Sequence, residues 1–222
     1  MSAGRRAERL TLPDFARGVP EGVGPEERAR DEMREELRAR ALRATGVPER
    51  YRSSPSPEAM AVAGAICRPG EGGPWLAVVA GPRGSGRTAL ACGVVAHFCE
   101  TGTRGVYVGA DQAISGVRET FGNRGSEDAA IERLAHAPAL AIDDLGRSEL
   151  GAWAAKTLLR VLDSRYQGLR PTVVVVSEGL SRLAGRLCPE DPGLSEAIAE
   201  RLATASVEVT LSGLAQGADP EA

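Results

Sequence analysis

Gly81-Pro82-Arg83-Gly84-Ser85-Gly86-Arg87-Thr88 is the stretch that decides the fold. It has the spacing G-x-x-x-x-G-[K]-[ST], with arginine at the lysine position. An apolar run of strand length, WLAVVA at 75–80, comes before it, and a helical pattern of apolar residues, 87–101, comes after it. Glycines let consecutive backbone N–H groups curl around phosphate oxygens, and the helix start adds the positive end of its dipole. The stretch therefore predicts a phosphate-binding loop between a strand and a helix.

The positions of this loop have separate expected roles. The phosphates of a nucleotide are expected to be held by Gly81, Gly84, Ser85, Gly86, Arg87 and Thr88. The side chain at 87 would reach the β- and γ-phosphates, and the Thr88 hydroxyl would be a ligand of Mg²⁺. A glycine-rich turn alone is weak evidence, but here a strand and a helix flank it in the required order.

A second stretch, ALAIDD at 139–144, is an apolar strand that ends in two carboxylates. Asp143 is expected to hold Mg²⁺ through water, and Asp144 to orient or activate the water that attacks the nucleotide. An acidic turn after a strand is the ordinary structural interpretation of such a pair. Its combination with the phosphate loop favours a nucleotide-binding fold.

Two further candidates lie nearer the C-terminus. Ser177 and Glu178 follow the β-branched run TVVVV at 172–176. In a doubly wound sheet the ligand lies at the carboxyl ends of the strands, so a polar group there would face the γ-phosphate, although a simple turn is equally consistent. Arg201, on a predicted helix, could reach a neighbouring subunit's nucleotide as an arginine finger. The alternative is a surface arginine beside Glu200.

Composition narrows the class of protein. The chain has 222 residues, 42% hydrophobic and 26% charged, which suits a globular domain and rules out disorder throughout. No apolar run approaches the roughly 20 residues of a membrane span, and no secretory signal follows Met1, so the cytoplasm is the expected location. The net charge of −3 excludes a generally basic nucleic-acid binder. The four cysteines form no CxxC pair, so a zinc site is not expected.

Strand and helix patterns alternate along most of the chain. Such alternation predicts an α/β fold, a parallel sheet with helices on both faces. The expected organisation is a flexible tail (1–24), a charged helix and linker (25–57), a P-loop domain (58–214) and a second flexible tail (215–222). A sizeable helical lid domain after residue 214 is not expected.

The order of these features resembles the DnaC/IstB-like AAA+ ATP-binding proteins, which include helicase loaders and transposition helper ATPases. The likeness covers about residues 40–214 and is carried by ATGVPERYR (44–52), GPRGSGRTAL (81–90), APALAIDDLG (137–146), LLRVLDSRYQGLRPTVVVVSEGL (158–180) and AIAERLATASVEVTLSG (197–213). The resemblance implies an AAA+ type P-loop fold that binds ATP and Mg²⁺ in the cytoplasm. It also implies ATP-dependent assembly into a spiral or ring, a replicative helicase or transposase as partner, and contact with single-stranded DNA.

The chain departs from the family pattern at three positions. Arg87 replaces the Walker A lysine, and a planar, forked guanidinium does not simply substitute for an ammonium. Glu178, or Ser177 if the register slips by one, stands where the family has the sensor-1 asparagine. A carboxylate about 4 Å from a phosphate charge costs on the order of 4 kcal/mol at an effective dielectric near 20. Asp144 replaces the more common Walker B glutamate.

Three hypotheses follow from these observations. The first is an AAA+ ATP-binding protein of the helicase-loader or transposition-helper type, a weak ATPase at most. The second is a nucleotide-free scaffold, in which Arg83 and Arg87 fill the phosphate site by pairing with nearby carboxylates. The third is a small-molecule P-loop kinase, which the stretch 111–137 supports poorly because it has too few arginines for a lid.

Overall fold

The computed structural model describes residues 24–67, 73–120 and 126–212. The chain divides into two units, 1–37 and 38–222, and the boundary falls inside the first helix. Apart from Gly24, the two expected tails lie outside the described residues. The limits expected for the charged segment (25–57) and the P-loop domain (58–214) stay predictions.

Helices and strands alternate as the sequence predicts. The helices are α1 (Pro25–Arg43), α2 (Pro57–Cys67), α3 (Arg87–Glu100), α4 (Ala110–Arg118), α5 (Glu127–Ala135), α6 (Ala152–Gln167), α7 (Leu180–Arg186) and α8 (Pro192–Ala203). The strands are β1 (Leu76–Ala80), β2 (Gly105–Gly109), β3 (Ala139–Leu145), β4 (Thr172–Val176) and β5 (Ser206–Thr210). A short 3₁₀ turn, Glu49–Tyr51, precedes α2. Among the described helices, none combines the length and apolarity that crossing a bilayer requires.

The strands form one parallel sheet in the order β2-β3-β4-β1-β5. Val174 of β4 lies in register with Val78 of β1 on one side and with Ile142 of β3 on the other. Strand β4 therefore separates the strand before the phosphate loop from the strand that ends in the carboxylates. Because all strands run the same way, their carboxyl ends meet at one edge of the sheet, as predicted for a P-loop fold.

Both faces of the sheet are buried, which explains why its central strands are apolar without alternation. Leu76 and Val78 point into a core with α4 to α8, whereas Ala77 and Val79 point into a second core with α2 and α3. The period-2 alternation of a strand divides each run of apolar residues between the two cores. Together they place the start of α3 and the ends of β1, β3 and β4 at the same edge.

Two details differ from the sequence expectations. The capping preference of aspartate favours Asp111 as the N-cap of the helix after β2, but the N-cap is Gly109, two residues earlier, whose N–H donates to Gln112 Oε1 at 3.4 Å. Strand β2 passes directly into α4, so Asp111 falls in the first turn instead. Free cysteines are among the most buried residue types, and Cys92 and Cys188 are buried, but Cys67 is exposed at the end of α2.

Arg165, near the end of α6, is fully buried. Its guanidinium donates to the backbone carbonyls of residues 134, 135, 137 and 171 and to the Thr172 hydroxyl, at 2.7 to 3.3 Å. Burial lowers the pKa of Arg165 to about 9, which leaves the group charged at neutral pH. This one side chain thus joins α6, the segment that leads into β3, and the start of β4.

We expect Arg165→Ala to lower the free energy of unfolding by about 4 kcal/mol. The substitution strands several buried carbonyl oxygens without a donor and leaves a cavity. Urea denaturation followed by circular dichroism measures the loss. Arg160→Ala is the control on the same helix, because Arg160 is exposed and pairs at 2.9 Å with Asp128 on the surface. It should cost less than about 1 kcal/mol. Equal losses in both variants would contradict a special role for Arg165.

Candidate nucleotide-binding site

The loop between β1 and α3 has the backbone that its glycines allow. Gly84 and Gly86 adopt φ angles of 82° and 90°, in the left-handed region that other residues rarely enter. The loop closes with a hydrogen bond from Ser85 N–H to the Pro82 carbonyl at 3.2 Å. In the described part of the chain, no backbone hydrogen bond uses the N–H groups of Gly84, Gly86 or Thr88. These donors stand at a helix start, where an anion is favoured.

A buried and unsatisfied atom marks the same loop. Ser85 Oγ has no hydrogen-bond partner among the described residues, although it is shielded from solvent. A buried polar atom without a partner is costly, so the site is suited to a ligand that supplies one. The described residues contain no cluster of three or more His, Cys, Asp or Glu side chains that could hold a metal ion. The Thr88 hydroxyl and the Asp143 carboxylate are oxygen ligands of the kind that Mg²⁺ shares with phosphates.

Arg87 is the first residue of α3, and its side chain crosses to the end of β4. Its Nη1 donates to the carbonyl oxygen of Val176 at 2.5 Å. The guanidinium therefore lies between the phosphate loop and the residue that precedes Ser177 and Glu178. A forked guanidinium has further N–H donors, so this contact leaves some of them for a phosphate.

The two carboxylates at the end of β3 have different surroundings. Asp143 is only 3% exposed; Oδ2 accepts from the Tyr107 hydroxyl at 2.5 Å and Oδ1 from the backbone N–H of Asp144 at 2.8 Å. Asp144 is half-buried with a φ angle of 59°, at an irregularity in the β3–β4 register. The left-handed backbone turns Asp144 out of the strand's alternation, and its Oδ2 lies 3.3 Å from Arg147 Nη1.

Glu178 is also paired within the chain. Arg186, at the end of α7, places Nε 2.7 Å from Glu178 Oε1 and donates from Nη2 to the Gly146 carbonyl at 2.9 Å. Ser177 lies beside it, with its N–H bonded to the Leu145 carbonyl at 3.3 Å. The scaffold hypothesis expects Arg83 and Arg87 of the phosphate loop to pair with these carboxylates. Asp144 pairs instead with Arg147 and Glu178 with Arg186, and both of these arginines lie outside the loop.

The loop and the carboxyl ends of β3 and β4 surround a cleft of about 640 Å³. Its lining includes Thr88, Asp144 and Ser177, which the sequence predicts, together with Tyr51. Five arginines also line it, namely Arg50, Arg83, Arg87, Arg147 and Arg186. Such a cation-rich concave surface attracts a polyanion. A second cleft of about 360 Å³ is lined by Asp143, Tyr107 and the start of α4. Asp144 and Arg147 line both clefts, whereas Asp143 is not among the residues that line the larger one.

The structure places Arg201 away from this cleft. Its Nε lies 2.6 Å from Asp163 Oδ1, and its guanidinium carbon lies 4.4 Å from the centre of the Tyr166 ring. Both partners belong to α6, against which α8 packs. Arg201 is therefore not among the residues that line the cleft of its own chain.

Sequence reasoning missed several residues of the site. Tyr107, Arg147 and Arg186 stand outside the recognised motifs. The turn after β3 and the packing of α7 bring Arg147 and Arg186 to the larger cleft, and the packing of β2 brings Tyr107 to Asp143 in the smaller one. Arg147 could have been inferred, since it follows Asp144 by three residues and a turn joins such positions. Arg50 and Tyr51 belong to the stretch 44–52, but their place at the cleft depends on the 3₁₀ turn that presents them.

The phosphate loop, the two carboxylates at the end of β3 and the order of the strands together define this chain as a P-loop nucleotide-binding protein. The model of the IstB-like ATP-binding proteins matches residues 76–215. The chain therefore belongs to the IstB-like ATP-binding protein family, within the DnaC/IstB-like AAA+ group that the motifs resemble. No curated protein matches its sequence.

Solved structures share the fold at low sequence identity. The crystal structure of the DnaC helicase loader is 20% identical with a TM-score of 0.56, over 74% of this chain and 99% of that chain. DnaI is 19% identical with a TM-score of 0.60, over 78% and 93%. AMPPCP-bound DnaA from Aquifex aeolicus is 15% identical with a TM-score of 0.58, over 74% of this chain and 51% of that chain. At these identities the likeness establishes the fold alone.

The phosphate loop approaches the end of the sheet so closely that Gly81 has no room for a side chain. A Cβ there would lie 2.6 Å from the Leu211 carbonyl oxygen and 2.7 Å from Ser85 Oγ. We expect Gly81→Ala to lower the free energy of unfolding by about 1–3 kcal/mol, because backbone must move to relieve the clash. Gly185→Ala in α7 is the control, with no atom within 4 Å of the added Cβ. It should be neutral or stabilising by up to about 1 kcal/mol. Thermal melts of both variants test this, and an unchanged Gly81→Ala protein would refute it.

Proposed function

We propose that this protein binds ATP with Mg²⁺ in the arginine-lined cleft and hydrolyses it slowly or not at all. The observation that carries the proposal is the loop itself: Gly84, Gly86 and Thr88, whose backbone N–H groups are free in the described part of the chain, line a cleft with five arginines, and Ser85 Oγ in the same loop is buried without a partner there. Membership of an ATP-binding family supports the choice of nucleotide. The proposed nucleotide domain is 58–214, with 25–57 as a separate charged helix and linker.

Each site residue has a proposed role. The phosphates are held by Gly81, Gly84, Ser85, Gly86, Arg87 and Thr88. Thr88 and Asp143 hold Mg²⁺, which when bound neutralises phosphate charge. Asp144 positions the attacking water, and Glu178 faces the γ-phosphate from the end of β4.

Slow hydrolysis is proposed from the pairing of these groups. Arg147 lies 3.3 Å from Asp144 and weakens that carboxylate as a hydrogen-bond acceptor for water. Glu178 puts a negative charge at the position where the family has a neutral asparagine donor. This charge repels the γ-phosphate, although Arg186 offsets part of the repulsion. Arg87 must share its donors between a phosphate and the Val176 carbonyl. The Arg147–Asp144 pair, the charge of Glu178 and the Arg87–Val176 contact all oppose the alignment of charge that phosphoryl transfer needs.

The same pairings favour a second candidate, a scaffold that kept the fold and lost the nucleotide. With Arg87 bound to backbone, and with Asp144 and Glu178 each paired to an arginine, charges in the cleft are already balanced in part. A cleft of this kind tolerates the absence of a polyanion better than one lined by unpaired cations. Nucleotide binding distinguishes the two candidates directly.

The partners are proposed from the relatives. DnaC is named a helicase loader, so a replicative helicase is one proposed partner, and a transposase is the other because the family model is IstB-like. We further propose contact with single-stranded DNA, cytoplasmic location and ATP-dependent self-assembly. In an assembly Arg201 would act on a neighbouring nucleotide, which requires it to leave Asp163. Sedimentation with and without an ATP analogue tests this, and an unchanged monomer would oppose it.

A fluorescent ATP analogue, titrated with and without Mg²⁺, tests the proposed site. We expect micromolar binding that Mg²⁺ strengthens. Arg87→Ala should weaken binding at least about tenfold, since it removes a charge-assisted contact to phosphate. Asp143→Ala should remove most of the strengthening by Mg²⁺ and leave Mg²⁺-free binding within about twofold.

Arg133→Ala is the matched control, because Arg133 is an exposed arginine of α5 and does not line the cleft. Its affinity should equal that of the unchanged protein. Absence of binding up to millimolar analogue would refute the ATP-binding proposal and favour the scaffold. Equal Mg²⁺ dependence in Asp143→Ala and the unchanged protein would remove the proposed metal role.

Restoring the family residues tests the reason for slow hydrolysis. We expect the double variant Arg87→Lys with Glu178→Asn to release phosphate from ATP at least about tenfold faster than the unchanged protein. Lysine frees the Val176 carbonyl, and asparagine replaces a repelled charge by a donor. A coupled phosphate-release assay measures the rate, with Asp144→Asn in the same background as the inactive reference. If the double variant is no faster, the two departures are not what limits hydrolysis.

A further inference from the structure

Tyr107 contacts the Asp143 carboxylate but belongs to none of the sequence motifs. It lies on β2, one strand further from the phosphate loop than Asp143, and its hydroxyl reaches Asp143 Oδ2 at 2.5 Å. Its backbone N–H is also fixed, through a 2.7 Å bond to the Thr45 carbonyl. Gly46 packs so tightly that a Cβ there would lie 2.5 Å from the Tyr107 carbonyl oxygen. Both ends of the residue are therefore held.

The hydroxyl of Tyr107 is the donor of this pair, because a carboxylate oxygen accepts hydrogen bonds. Burial, and then the hydrogen bond and charge of Asp143, raise the pKa of Tyr107 well above its usual range. Burial and the same carboxylate raise the pKa of Cys92, on α3, to about 12.

Two donors define the orientation of the Asp143 carboxylate. Tyr107 takes one acceptor position on Oδ2, and the Asp144 N–H takes one on Oδ1 at 2.8 Å. A carboxylate has about four acceptor positions, so about one on each oxygen is left that could face a metal ion or its water shell. With the side chain only 3% exposed, rotation away from these donors would leave buried polar groups unpaired.

We propose that Tyr107 is a positioning residue that holds the Asp143 carboxylate ready for Mg²⁺ and so sets the metal affinity of the nucleotide complex. The inference rests on the proposed Mg²⁺–ATP site. Partners that orient a metal-binding carboxylate typically change metal affinity by about 10–100-fold when removed. Loss of the hydroxyl alone should therefore be measurable, although Tyr107 would not touch the nucleotide.

The experiment uses the full chain and the fluorescent ATP analogue, first in EDTA and then with increasing Mg²⁺. In Tyr107→Phe we expect analogue affinity in EDTA within about twofold of the unchanged protein, and a half-saturating Mg²⁺ concentration raised about tenfold. Tyr166→Phe is the matched control, since Tyr166 lies on α6 and does not line the cleft. It should leave both values unchanged.

A double-variant comparison separates positioning from general packing. In an Asp143→Asn background, Tyr107→Phe should have little further effect on the Mg²⁺ requirement, because the group that it orients is already altered. An equal additional loss there would overturn the inference, as would an unchanged Mg²⁺ requirement in Tyr107→Phe alone. If the unchanged protein binds the analogue without any effect of Mg²⁺, the metal part of the proposed function and this inference fail together. If it binds no analogue at all, the nucleotide proposal itself fails.

Discussion

The buried guanidinium of Arg165 is the interaction on which the arrangement of the strands depends. It has no carboxylate partner among its hydrogen bonds and is satisfied instead by backbone carbonyls from the entry to β3 and the start of β4, and by Thr172. These are the two strands whose opposite ends carry Asp143 and Ser177. A charge that is buried in this way is stable only while every acceptor stays in place, so it fixes where both strands begin. Parallel pairing then carries that alignment to the site.

At the other edge of the sheet, the positions of charged groups decide the chemistry. The cleft has more arginines than acidic side chains in its lining, yet several of those arginines already have partners inside the chain. A polyanion entering the cleft would compete with Val176, Asp144 and Glu178 for the same donors. Binding and hydrolysis therefore make different demands, because a phosphate needs only positive charge, whereas the attacking water needs a carboxylate that is free to accept its proton.

The fold was largely predictable, because its signals are local. Continuous apolar runs bounded by proline, glycine or polar residues identify the central strands, and the loop at 81–88 requires a strand before it and a helix after it. The capping preference of Asp111 does not give the start of α4, because β2 passes directly into the helix and Gly109 is its N-cap. The pairing of Asp144 with Arg147, three residues later, could be inferred from a turn, but the partners of Asp143 and Glu178 could not. Tyr107 lies on another strand and meets Asp143 only through strand order, and Arg186 meets Glu178 only through the way α7 packs.

The sequence by itself determined the class of fold, the family and the residues that could bind phosphate and Mg²⁺, since spacing and apolar period act over a few neighbouring residues. The tertiary structure alone decided which of those residues are already engaged. Arg87 reaches Val176, Arg201 pairs with Asp163, and Asp143 is held by Tyr107. Such contacts depend on which strands are neighbours and which helix ends face the cleft, and this is set by the burial of two hydrophobic faces of one sheet.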